Sequence, residues 1–184
     1  MTRPPKTARI VTWSVAAVLL LVFAIKTCFI GYYRIPQDGM FPGLPAGSVL
    51  FTAMRAYSGA SNVKRGDIVV FLREEDGRRY SYIWRVVALP GETVQASGDA
   101  LTINGQAVQR QHVRDANSRT VFREQIGEVS YEVAFDRSPR QQPPDVSVTV
   151  PPGHFFVMGD NRFDARDSRY FGAIPFRSIV GKKL

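Results

Sequence analysis

An apolar run near the start constrains this chain more than any other feature. Residues 10–25 carry no charge, and after Lys26 the run resumes as far as Tyr33. Ile10–Tyr33 is thus 24 residues with a single charge, where about 20 apolar residues are enough to cross a bilayer as a helix. Lys26 lies near one end, where its stem can snorkel toward the headgroups. Trp13 at the other end, and Tyr32 and Tyr33 beyond Lys26, suit interfacial belts. Arg3, Lys6 and Arg9 precede the run without an acid, which puts the N-terminus on the cytoplasmic side. Residues 1–33 therefore read as a cytoplasmic N-terminus and one membrane-spanning helix, with 34–184 outside. A cleaved leader is the competing reading, but no small-x-small site follows the run, and Ala24-Ile25-Lys26 is a poor one. Cys28 reads as a small apolar helix residue.

The rest of the chain reads as mainly antiparallel β. Val49–Tyr57, Asp67–Arg73, Tyr80–Leu89 and Val129–Phe135 are rich in β-branched and aromatic residues. Pro42-Gly43, Arg65-Gly66 and Pro90-Gly91 punctuate them. Asn104-Gly105 between short apolar runs is a hairpin signal. Asn117–Arg119 and Asp136–Asp145 read as loops. Half of the net charge of +8 lies in the first 33 residues. Outside them 20 bases face 16 acids, too mild an excess to indicate nucleic acid. One cysteine and two histidines supply no metal set, so no metal and no cofactor are expected.

Five motifs, in order, carry a resemblance. Ile35-Pro36-Gln37-Asp38-Gly39-Met40-Phe41-Pro42-Gly43-Leu44 resembles the serine box of type I signal peptidases, the S26 family. Lys64–Phe71 (KRGDIVVF) resembles the family's next strand, and Tyr82–Glu92 (YIWRVVALPGE) its lysine box. Gly153–Arg162 (GHFFVMGDNR) and Asp167–Gly172 (DSRYFG) resemble its last two motifs. The resemblance implies a signal-peptidase-like β fold with a core of about 34–98 and 150–184 and an inserted β subdomain of about 99–149. It also implies the bacterial cytoplasmic (inner) membrane, crossed once, with the β domain on the extracytoplasmic side.

The departures bear on function. Family enzymes cut preproteins with a serine nucleophile and a lysine base, and the hydroxyl is idle without the base. On the motif alignment the nucleophile position is Gly39, which has no side chain. The base position is Trp84, whose indole N–H cannot take a proton. The oxyanion-helper position is Gln37, and the lysine-orienting position is Ala165. No catalytic residue is therefore expected. Trp84 reads first as a core aromatic filling the base's space, and second as a platform lining the groove. Gly39→Ser with Trp84→Lys, assisted by Ala165→Ser, would return the reacting groups. The resemblance further implies that Arg85, Asp160, Asp167 and Arg169 form structural charge pairs.

Other residues offer poor substitutes. Ser48 reads as a turn hydroxyl, Ser168 as noncatalytic, His154 as a strand-edge residue, and His112 and Lys64 as solvated. The first functional reading is a membrane-anchored pseudo-enzyme that binds an extracytoplasmic polypeptide or a membrane-protein complex. Its groove would comprise Gln37, Asp38, Gly39, Met40, Tyr82 and Trp84, and its other partner is membrane lipid. An active signal peptidase with a relocated dyad, and a purely structural subunit of a membrane complex, are the alternatives.

Overall fold

The structure is a computed structural model, and it describes residues 12–21 and 29–184. Residues 12–21 are helical. Among the described residues no helix is long and apolar enough to cross a membrane. Arg3, Lys6, Arg9, Lys26, Cys28 and much of the apolar run lie outside the described residues.

From residue 30 the chain forms three sheets. The largest has seven strands: β1 (Ile30–Arg34), β2 (Val49–Met54), β3 (Ile68–Glu75), β4 (Arg78–Ala88), β12 (His154–Met158), β13 (Ile174–Pro175) and β14 (Ile179–Lys183). Their spatial order is β1-β2-β14-β3-β4-β12-β13. A four-stranded sheet joins β5 (Thr93–Ser97), β6 (Ala100–Ile103), β7 (Gln106–Ala107) and β11 (Val146–Thr149). The third holds β8 (Gln109–Ala116), β9 (Arg119–Ile126) and β10 (Val129–Asp136). Every strand pairing is antiparallel.

Turn chemistry sets the hairpins. Asp76-Gly77, at φ 50° and 71°, closes β3 onto β4, and Asn104-Gly105, at 51° and 77°, closes β6 onto β7. Both pairs need the left-handed region twice, which Asp/Asn-Gly tolerates. The unbroken apolar run Ile68–Phe71 is explained by burial on both faces. Val69 and Phe71 join a cluster with Val86, Phe155 and Val157, while Ile68 and Val70 join one with Ile35, Met40, Leu44 and Leu50. A third cluster draws Val87, Phe156 and Met158 from the seven-stranded sheet, Val94 and Leu101 from the four-stranded one, and Val133 and Phe135 from the three-stranded one.

One expectation is corrected here: the membrane-spanning helix expected as far as Tyr33 cannot include residues 30–33, which lie in β1 and pair with β2. The chain near residue 98 lies between β5 and β6, which are hydrogen-bonded neighbours in one sheet. The three-stranded and four-stranded sheets share a core with the seven-stranded sheet, so residues 99–149 have no separate core. The strands β8 and β9 carry too many polar side chains to announce themselves. β8 exposes or half-exposes every residue, so its composition is set by solvent rather than by a core.

Candidate functional site

β4 delivers Trp84. Its register against β3 sets Trp84 opposite Val69 and Tyr82 opposite Phe71, so both aromatics stand on the Val69/Phe71 face. Phe71 and Tyr82 stack at 5.7 Å, and Tyr82 lies 6.4 Å from Trp84, centroid to centroid. The opposing wall is the loop after β1. Its Ile35, Met40 and Leu44 are buried, Leu44 N–H donates to the Met40 carbonyl at 2.9 Å, and Phe41-Pro42 is cis.

Between these walls runs a cleft of about 420 Å³, lined by Gln37, Gly39, Met40, Tyr82 and Trp84 among others. Sequence reasoning missed Asp164 and Arg166 in that lining. It also placed Asp38 there, which the structure corrects. Asp38 is not part of the lining; its carboxylate accepts the Ala46 N–H at 2.8 Å and Arg119 Nη1 at 3.1 Å. The Ala46 bond, opposed by partial burial and helped by Arg119, holds that carboxyl below its usual range. Asp38 thus ties the loop to β9.

Gly39, Trp84, Gly159 and Ala165 meet at one point. A Cβ built on Gly39 would lie 2.6 Å from Trp84 Cη2, 2.8 Å from Trp84 Cζ3 and 3.4 Å from the Asp164 carbonyl. A Cβ on Gly159 would lie 2.3 Å from Ala165 Cβ, 2.6 Å from the Gly39 carbonyl oxygen and 3.0 Å from Trp84 Cζ3. The ring therefore occupies the space that any side chain at 39 requires. A serine Cβ at position 39 and the Trp84 ring exclude each other, so a hydroxyl there requires Trp84 to be replaced or moved. Trp84 Nε1 is buried without a hydrogen-bond partner among the described residues.

The charged residues surround this point and hold it. Arg85 Nε and Nη2 donate to both oxygens of Asp160 at 2.8 and 2.6 Å, Nη1 donates to the Gly66 carbonyl at 2.8 Å, and the guanidinium lies 4.2 Å from the Tyr131 ring centroid. Burial works against the Arg85 cation, but the Asp160 carboxylate raises its pKa above the usual value. Asp167 accepts the Gly159 N–H at 3.0 Å and binds Arg169 through Nε at 2.8 Å and Nη2 at 2.7 Å. It also caps α1 (Ser168–Phe171) by accepting the Arg169 N–H. Asn161 N–H donates to the Gly39 carbonyl at 3.0 Å, which fixes the glycine under the ring.

The largest buried pair was missed in the sequence. Arg162 donates from both terminal nitrogens to Glu124, one of them at 2.7 Å, and Arg110 adds a bond to Glu124 at 2.8 Å. Arg162 is 2% exposed and Glu124 not at all. Arg162 sits inside the Gly153–Arg162 motif, but nothing in the local pattern of β9 marks its acid as buried.

The remaining candidates have structural employment. Ser168 Oγ accepts the Val157 N–H, Ser48 Oγ donates to the Pro45 carbonyl, and His154 Nδ1 lies 2.9 Å from the Pro152 carbonyl. His112 is solvent-exposed 3.6 Å from Asp115. The cleft lining contains Ser81 but no lysine or histidine. Among the described residues no group of acids, histidines and cysteines could hold a metal ion.

The chain is similar to known proteins over most of its length. A family profile described as signal peptidase, peptidase S26, matches residues 8–184. Signal peptidase I of Pseudomonas aeruginosa is 31% identical over 191 aligned residues, spanning 90% of this chain and 67% of that protein. Signal peptidase I T of Bacillus subtilis is 33% identical over 183, spanning 98% of this chain and 86% of that one. A crystal structure of a signal peptidase I from Enterococcus faecalis is 30% identical, covers 66% of this chain and 96% of its own, and superposes with a TM-score of 0.44. With a profile running over nearly its whole length and relatives above 30% identity across both, the chain belongs to the signal peptidase, peptidase S26, family.

Proposed function

We propose that this family member does not cut preproteins and instead binds an extended polypeptide in the Gly39–Trp84 cleft. The observation that carries this reading is the exclusion between the Trp84 ring and any Cβ at position 39. A peptidase of this design needs a hydroxyl there and a base opposite. Here a glycine faces an indole whose N–H only donates, and no lysine or histidine lines the cleft to rebuild the pair.

Binding without scission is supported by a second feature. β12 pairs with β4 only over Arg85–Ala88, so residues 78–84 of β4 are paired on the β3 side alone. That half-strand borders the cleft through Tyr80–Trp84. An extended peptide adding there would be held by main-chain hydrogen bonds.

The location follows from the first 33 residues. The described helical residues expose Trp13, Val15, Val18, Leu19, Leu20 and Leu21, side chains that favour an apolar surrounding over water. We read them as part of a single span with the N-terminus in the cytoplasm and the β domain, from β1 at Ile30 onward, on the outer side of the bacterial cytoplasmic membrane.

The test is cleavage by the purified full chain of a preprotein with an Ala-x-Ala site. The expected result is no product above background, since removing the nucleophile of a serine protease costs about a millionfold. Site-specific cleavage that a point change in the Ala-x-Ala site abolishes would overturn the reading. Binding of the same preprotein, blocked by a proline placed in the bound segment, would support added-strand capture.

A further inference from the structure

A second cleft, of about 590 Å³, shares an aromatic wall with the first. Phe71 and Phe171 line it, and both contact Tyr82, at 5.7 and 5.9 Å between centroids. Its floor is apolar, with Phe71 and Ile174 buried. Its rim carries Arg73, Arg79 and Arg177 against one acid, Glu74.

The three arginines differ in how they are held. The Arg73 guanidinium lies 4.5 Å from the Phe171 ring centroid and bonds to Glu75, so its direction is fixed. Arg79 and Arg177 make no ion pair among the described residues. Glu74 stands opposite Arg79 in the β3–β4 register without closing on it. Arg177 projects from a 3-10 turn, Phe176–Ser178. With Arg73 paired to Glu75, the unpaired Arg79 and Arg177 against Glu74 leave the rim an excess of one positive charge in a cleft of ligand size.

Guanidinium groups take multi-oxygen anions through paired, directed N–H donors, and phosphate is the anion best matched to more than one of them. An apolar floor beneath a cationic rim selects further for a ligand that joins an anion to an apolar body. We propose that this cleft binds the phosphate group of an amphiphile, with the apolar part resting on the half-buried Phe171, Ala173 and Pro175. The unpaired Arg79 and Arg177 supply the phosphate seat. The assignment is independent of whether the Trp84 cleft cuts or only binds.

The probes are dihexanoyl phosphatidylglycerol below its micelle concentration and inorganic phosphate, titrated by calorimetry into the full chain in an uncharged, phosphate-free detergent. The phosphatidylglycerol should bind, and the Arg79→Gln/Arg177→Gln variant should bind it at least tenfold more weakly while keeping the wild-type Tm, since both side chains are exposed. Arg79→Lys/Arg177→Lys should recover part of the loss, because the charge returns without the fork. Inorganic phosphate should bind more weakly than the lipid. Equal affinity for the two would assign the seat to a free phosphate and overturn the amphiphile. No binding of either probe, or an unchanged affinity in the Gln variant, would overturn the site itself.

Discussion

The Gly159–Arg162 segment has two neighbourhoods that hold it by different means. Toward Asp167, Glu124 and Arg85 it is held by charge-assisted hydrogen bonds, with each buried guanidinium matched to a carboxylate. Toward Gly39 it is held by shape, with a ring end, two glycines and the Ala165 methyl filling one space, and by one main-chain bond from Asn161 N–H to the Gly39 carbonyl. The charged framework thus borders a contact made of ring carbon, a methyl group and main chain. A framework of buried charge is costly to dismantle piecemeal, because removing one partner strands the other. A reacting pair has no such protection, since replacing it by well-packed carbon can leave stability intact or improved.

That contrast can be broken experimentally, and the largest effect is expected in the charged half. Glu124→Gln leaves Arg162 buried without its carboxylate, a change that costs about 3–5 kcal/mol. At about 2–4 °C per kcal/mol for a chain of this size, Tm should fall by roughly 6–20 °C. A shift under about 2 °C would mean that the buried pair does not hold the segment.

The packed half should respond less, and in a coupled way. Gly39→Ser should destabilise by about 1–3 kcal/mol through overpacking against Trp84. Trp84→Ala opens a cavity and also removes the obstacle. In the Gly39→Ser/Trp84→Ala double variant the serine penalty should vanish, so that denaturant midpoints show the two changes non-additive by about 1–3 kcal/mol. Additive changes would show that the ring and position 39 do not compete for space. None of these variants should gain turnover, since none supplies a base.

The smallest effect belongs to the loop that joins the halves. Asp38 titrates below its unfolded value, chiefly through the Ala46 N–H. Falling pH therefore protonates the unfolded chain first. The stabilisation is complete above about pH 4 and is lost as pH drops through the lower folded value. Asp38→Asn should cost about 1 kcal/mol at pH 7, and urea midpoints of variant and wild type should converge toward pH 3. A gap that stays constant with pH would sever the link to this carboxylate.

The sequence disclosed these features unevenly. Strands buried on both faces were legible because continuous apolar residues such as Ile68–Phe71 have few other uses. Hairpins at Asn104-Gly105 announced themselves through backbone chemistry. Gly39, Trp84 and Ala165 were found by motif alignment, and the charge pairs of Arg85 and Arg169 followed from the same resemblance. Their mutual exclusion was not legible, because it depends on a ring and a glycine 45 positions apart meeting within a carbon radius. Glu124 was invisible for a related reason: an acid in an amphipathic strand reads as solvated until its arginine arrives from a segment 38 residues on. Asp38 was misplaced because neighbours in sequence were taken as neighbours in the cleft, whereas a tight loop turns successive side chains to different sides.

The half-paired stretch of β4 is also a ruler. Main-chain hydrogen bonds read no side chains, so a strand added beside residues 78–84 is measured before it is recognised. Those positions offer about seven residues, or ~23 Å at ~3.3 Å per residue. At Arg85 the rail ends, because β12 already occupies that side of the strand. A guest longer than this must bend away or stop. Trp84 stands at the last open rung.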